Sequence, residues 1–162
     1  MERNLYFDMD GTLCEWCSSV KSIEELYEKG FYLNLKPNIN LLEALNMLYE
    51  KYPTRIFILS CYLENSKYAI DEKNIWLDKY TSIPMERRIL IPDGNNKGKI
   101  GNINDILIDD YTKNLLCWEK EGKKGIKFIN DINGSGIKWK GERIKYTTNP
   151  KIISNFLEKY IV

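Results

Sequence analysis

The sequence contains no histidine. That absence removes imidazole from every mechanism, so triads built on histidine and histidine-bearing metal sites are excluded. Proton transfer falls to a carboxylate, lysine, tyrosine or cysteine. Cysteine is scarce, with four residues, Cys14, Cys17, Cys61 and Cys117. That is too few for a disulfide scaffold, and a chain of 162 residues can bury a core without one. The "CEWC" pair lacks a second ligand pair for zinc and reads as two small buried thiols. No apolar run approaches the roughly 20 residues that span a bilayer. The N-terminal "MERNLYFDMDG" carries an acid near its start and no long apolar centre, so no secretory signal is expected there. Charge of one sign is also missing. Twenty-four Lys and Arg face 23 Asp and Glu, a net charge of +1, which offers no field for a nucleic acid polymer or an anionic membrane. The expectation is a cytoplasmic protein of one domain.

What is present is a series of short apolar, β-branched runs. They are "NLYF", "RIFILS" (55–60), "RRILIP" (87–92), "DILID" (105–109) and "GIKFIN" (125–130). Each is nearly continuous in hydrophobicity, as strands buried on both faces are. Between them lie helical patterns at 38–52, 64–80 and 112–122, with another closing the chain. The first places Leu41, Leu42, Leu45 and Leu48 on one stripe. Trp76 and Trp118 sit on the predicted helices as packing residues. Alternating strands and helices predict an α/β, Rossmann-like three-layer sandwich with a five-stranded parallel sheet. Residues from about 14 to 36, including "SIEELYEKG", form a small helical insert over one end of it.

Ligands of an open parallel sheet sit beyond the carboxyl ends of its strands. Here those ends are chemically loaded. The first delivers Asp8 and Asp10, the second Ser60 and Cys61, and the fourth Asp109 and Asp110, while "PDGNNKGK" after the third carries Lys97 and Lys99. Two like charges about 4 Å apart cost roughly 4 kcal/mol at an effective dielectric near 20. Several such pairs rival the total stability of a domain, about 5–15 kcal/mol. A cation must offset them, and an all-oxygen donor set that also meets phosphate suits Mg²⁺. The chemistry that follows is phosphoryl transfer to a carboxylate. Asp8 is the nucleophile and Asp10 the acid and base. Ser60 and the amides after it, at Cys61, bind one phosphoryl oxygen, a lysine stabilises the transferring group, and Gly11 and Thr12 leave the backbone open to another. "GNNKGKIG" has the wrong spacing for a nucleotide-binding P-loop and serves to present a lysine. In the insert, Trp16, Phe31 and Tyr32 offer faces that could stack on a nucleobase or form the insert's own small core.

At "DMDGT", "IFILS", the lysine before the fourth strand and "ILIDD", the sequence resembles the haloacid dehalogenase-like hydrolases. The motifs come in that family's order across the whole core. "KNIWLDKY", "LIDDYTKNLLCWEKEGKKGIKFIN" and the insert ending "LNLKP" resemble more narrowly the branch of 5′(3′)-deoxyribonucleotidases and their bacterial and phage relatives. The resemblance implies a Mg²⁺-dependent phosphomonoester hydrolase working through an aspartyl-phosphate, with nucleoside monophosphates as substrates. It implies Mg²⁺ held by Asp8, by the backbone carbonyl of Asp10 and by Asp110. Asp109 is then the partner of Asp110, holding the lysine or a water, and Lys97 is favoured over Lys99 as that lysine. Four other readings remain: a phosphatase for another small phosphorylated metabolite, a dehalogenase (which has no use for Asp10), a phospho-accepting receiver domain, and a silent nucleotide-binding protein. The tail "NDINGSGIKWKGERI" carries no mechanistic reading, and the oligomeric state is not legible.

Overall fold

The computed structural model describes residues 3–16, 20–134 and 138–162. Strand β1 (Leu5–Phe7) is followed by the insert, which contains a 3-10 turn at Ile23–Tyr27, and by helix α1 (Ile39–Lys51). Then come β2 (Ile56–Tyr62), α2 (Ala69–Tyr80), β3 (Arg88–Pro92), a 3-10 turn at Lys97–Lys99, and β4 (Ile106–Asp109). Helix α3 (Thr112–Glu119), β5 (Lys124–Ile129), β6 (Glu142–Lys145) and α4 (Pro150–Ile161) complete the chain. The strands form one sheet in the order β3-β2-β1-β4-β5-β6, parallel throughout. The α/β, Rossmann-like expectation therefore holds, with one correction: the sheet has six strands, not five.

Alternation along β1 explains the layers. Leu5 and Phe7 face a core built with Leu41, Leu45 and Leu48 of α1, Trp76 and Leu77 of α2, and Ile153 and Leu157 of α4. Tyr6 faces the other way, with Leu59, Leu107, and Leu115 and Trp118 of α3. β1 is apolar at every position because both its faces are covered. β1 also lies centrally, paired with β2 on one side and β4 on the other, so residues just past Phe7 and Ile108 emerge side by side.

The sixth strand lies in the tail segment. In "ERIK" only Ile144 is buried, as suits an edge strand whose charges discourage further pairing. Just before it Trp139, 3% exposed, folds back onto the sheet beside Leu115 and Gly125 and donates its indole N–H to the Glu142 carbonyl at 3.0 Å. Gly141 permits this, since a Cβ there would lie 2.7 Å from the indole. Lys124 and Tyr160 both bond the Glu142 carboxylate and tie β6 to β5 and α4.

Helix α2 begins at Ala69, later than the pattern predicts, because Ser66 Oγ accepts the N–H groups of Tyr68 and Ala69 and turns the chain there. Its buried stripe is Ala69, Glu72, Lys73, Trp76 and Leu77, while Ile75 is exposed. Among the described residues, no helix is long and apolar enough to cross a membrane.

Candidate active site

The acids of the first and fourth strands converge. Asp8, Asp109 and Asp110 each offer a carboxylate oxygen, and these oxygens lie within 4.8 Å of one another. The cause is local: the Asp8 N–H bonds the Ile108 carbonyl at 2.9 Å, extending the β1–β4 register one residue past the end of β1, to the last residue of β4. Lys97 enters between them, 1% exposed. Its Nζ donates to Asp8 Oδ1 at 2.6 Å and to Asp109 Oδ2 at 2.8 Å. Lys99 points away and pairs with Glu121 at the surface, so Lys97 is the lysine of the site.

Lys97 is held in place from behind. Asn96 Oδ1 accepts the Gly98 N–H at 2.7 Å, and Lys123 donates to the carbonyls of Gly98 and Ile100. Gly98 packs so closely on α3 that a Cβ would run into the Cys117 carbonyl. Burial alone pulls the Lys97 ammonium toward deprotonation, but Asp109 and Asp8 outweigh it and hold it well above the ordinary lysine value.

Thr12 closes the arrangement from the first loop. Its hydroxyl lies 3.3 Å from Asp8 Oδ2 and 3.4 Å from Asp110 Oδ1, and accepts the Asp110 N–H at 3.1 Å. Gly11, at φ 80°, lies directly beneath the Asp110 carboxylate, where any Cβ would collide with it. Asp109 is fully buried. It accepts the Tyr111 N–H at 2.8 Å and the Asn114 amide at 3.0 Å.

Four residues of the site were not legible in the motifs. Asn130, at the end of β5, donates to the Gly11 carbonyl at 2.8 Å and to Asp110 Oδ2 at 3.3 Å. Asn133 donates to the Asp110 carbonyl at 3.3 Å, and Lys127 to the same carbonyl at 2.8 Å. The fourth is Lys73 of α2, fully buried, which bonds Asp10 Oδ2 and lies 3.3 Å from Ser60 Oγ. Asn130 had a visible signal, an amide at a strand's carboxyl end. Lys73 had a subtler one, a charge on the helix stripe that should be apolar.

Electrostatically the site is short of positive charge. Among the described residues, the carboxylates of Asp8, Asp10 and Asp109 pair directly with two ammonium groups, Lys97 and Lys73, while the Lys127 ammonium meets Asp110 at its carbonyl. Burial, with the repulsion of Asp8, pushes the Asp109 carboxyl up. Burial, with Asp109 and Asp8, pushes Asp110 up to about 8. Burial also raises Asp10, against the pull of Lys73. Asp8, Asp109 and Asp110 are close enough together to share one cation. The donor set is all oxygen, which fits Mg²⁺.

No protein-family model matches the chain. The site therefore stands on its geometry.

The remaining sequence candidates fall around this centre. Ser60 is buried and Cys61 half-buried at the end of β2. Cys14 is buried, with its thiol 3.3 Å from the Met9 carbonyl, while Cys17 lies outside the described residues. Tyr32 is buried with its ring 4.9 Å from Lys73 Nζ. Trp16 and Phe31 meet edge to face at 5.8 Å and are only partly buried. They line a cleft of ≈ 580 Å³ together with Glu15, Glu28, Lys36 and Asp131. None of the four acids lines that cleft. It reaches their neighbourhood through Asp131, next in the chain to Asn130.

Proposed function

We propose that the protein is a Mg²⁺-dependent phosphomonoester hydrolase that works through an aspartyl-phosphate on Asp8, with nucleoside monophosphates as its substrate class. The observation that carries this reading is the meeting of Asp8, Asp109 and Asp110 within 4.8 Å beside the buried Lys97. Asp8, Asp110 and the backbone carbonyl of Asp10 would hold the ion. Bound there, Mg²⁺ supplies positive charge against the phosphoryl oxygens.

The chain's own residues divide the remaining work. Lys97 orients Asp8 through its 2.6 Å bond to Oδ1, and its charge faces the equatorial oxygens of the transferring group. An Asp8 oxygen bonds to phosphorus as the ester bond breaks, and Asp10 protonates the departing oxygen. Asp10 then takes a proton from the water that attacks the acyl-phosphate. Ser60 and the amide of Cys61 receive a phosphoryl oxygen, and Gly11 and Thr12 line the opposite approach. Nucleotides are favoured because Trp16 and Phe31 border a cleft large enough for a nucleoside.

A phosphate-release screen across nucleoside monophosphates and sugar phosphates tests the proposal. Release that requires Mg²⁺, stops in EDTA and is lost in Asp8→Asn is expected. Turnover that survives Asp8→Asn would reject the covalent route, and a preference for sugar phosphates would move the substrate class.

A further inference from the structure

Lys73 is a fully buried lysine on α2 that the proposed reaction does not by itself require. Desolvating an ammonium is costly, and such a group persists only where its partners compensate. Its partners come from three parts of the fold. Nζ bonds Asp10 Oδ2 from the first loop, lies 3.3 Å from Ser60 Oγ at the end of β2, and stands 4.9 Å from the centroid of the Tyr32 ring of the insert. Two oxygens thus accept from the ammonium, and the Tyr32 ring lies against its charge. The two oxygens of Asp10 are therefore unequal. Oδ2 is committed to Lys73, while among the described residues Oδ1 meets only the Cys14 thiol, at 3.9 Å.

The preceding residue, Glu72, is also buried and grips the insert. Its Oε1 accepts the Gly30 N–H at 2.5 Å, and its Oε2 accepts those of Tyr32 at 3.1 Å and Leu33 at 3.4 Å. Trp76, one turn on, donates its indole N–H to the Leu35 carbonyl at 2.7 Å. One face of α2 thus seats the insert and orients Asp10 together.

We infer that Lys73 is a positioning residue for proton transfer: by engaging Oδ2 it fixes the Asp10 carboxyl so that Oδ1 delivers the proton to the leaving oxygen, and Glu72 links this orientation to the seating of the insert. The inference rests on the phosphatase reading above. In the step concerned, the bond from Asp8 oxygen to phosphorus forms and the ester P–O bond breaks. The electron pair of that bond stays on the departing oxygen, which takes the proton from Asp10 Oδ1.

Leaving groups separate this role from a structural one. An alkoxide needs protonation as it leaves, whereas an aryl oxide such as p-nitrophenolate leaves without it. In Lys73→Met the ratio of kcat/KM for an alkyl monophosphate to that for p-nitrophenyl phosphate is expected to fall at least about tenfold, since a positioned general acid contributes roughly 10²–10⁴-fold. Lys73→Arg is expected to recover part of the ratio, and Glu72→Gln to lower it less. Thermal melts by circular dichroism establish that each variant is folded. Should Lys73→Met not fold, Lys73→Gln carries the same comparison. Equal losses on both substrate types would overturn the assignment while leaving the phosphatase reading intact. Failure of the unaltered protein to hydrolyse either substrate would overturn both.

Discussion

At the scale of single residues, the site depends on a few atoms that tolerate no neighbour. Gly11 is the sharpest case, because its positive φ and the Asp110 carboxylate above it both exclude a side chain. Gly11→Ala is expected to cost about 1–2 kcal/mol from the left-handed backbone alone, and to weaken Mg²⁺ binding by displacing Asp110. Calorimetric titration with Mg²⁺ beside a denaturant melt separates the two effects. Lys97→Met is expected to remove phosphate release while lowering stability, since it strands Asp8 and Asp109 in a buried place. Breaking one partner of a buried pair typically costs about 3–5 kcal/mol. Added Mg²⁺ should recover part of that stability and none of the activity. Asp8, Asp109 and Asp110 were legible as strand-end acids because strand ends are set by hydrophobic runs, which are a one-dimensional signal. Lys73 was not. A lysine within a helix reads as solvated surface, and only the three-dimensional meeting of Asp10, Ser60 and Tyr32 gives it a buried role.

At the scale of elements, the same contrast separates β1 to β5 from β6. The first five strands advertise themselves as near-continuous apolar runs, although β3, at the other edge of the sheet, is only partly buried along its length. β6 buries one residue of four and is held by side chains from elsewhere, Lys124, Trp139 and Tyr160, which no local pattern announces. Trp139 is its anchor. Trp139→Ala should destabilise the protein by about 3–5 kcal/mol, the usual cost of deleting a buried aromatic, read as a lower denaturant midpoint. Helix α2 shows how a stripe can mislead: positions 69, 72, 73, 76 and 77 share one face, yet two of them are charged. The isoleucines between stripe positions, Ile70 and Ile75, are exposed. Charges on a buried stripe were the available clue to both the seating of the insert and the partner of Asp10.

For the molecule as a whole, a parallel sheet with a central β1 brings distant chain segments to one edge and leaves them short of positive charge. Mg²⁺ should therefore stabilise the fold: an ion that binds only the native state adds about 2.7 kcal/mol at a hundredfold excess over its Kd. EDTA should lower the melting temperature accordingly. Alkaline pH acts through different groups. Burial, aided by Asp105, pushes the Tyr6 phenol up to about 12, and burial raises Tyr32 as well. A folded-state pKa above the unfolded one means that this stability is fully present below the unfolded value, about 10. It is lost as pH rises from there toward 12. Melting temperatures should thus decline above about pH 10, and Tyr6→Phe should flatten that decline. The ring of Tyr6 stacks on Phe57 at 5.1 Å, so the phenylalanine keeps the packing.

If acids from two strand ends, a buried lysine and a divalent cation form one phosphoryl-transfer centre, Asp8 carries the phosphoryl group during turnover. Peptide mass spectrometry after acid quench, during turnover of a nucleoside monophosphate in Mg²⁺, tests it most directly. A phosphoryl group on Asp8, absent when EDTA is added before substrate, is the predicted result. Turnover with no phosphoryl group on Asp8, undiminished in Asp8→Asn or in EDTA, would contradict it.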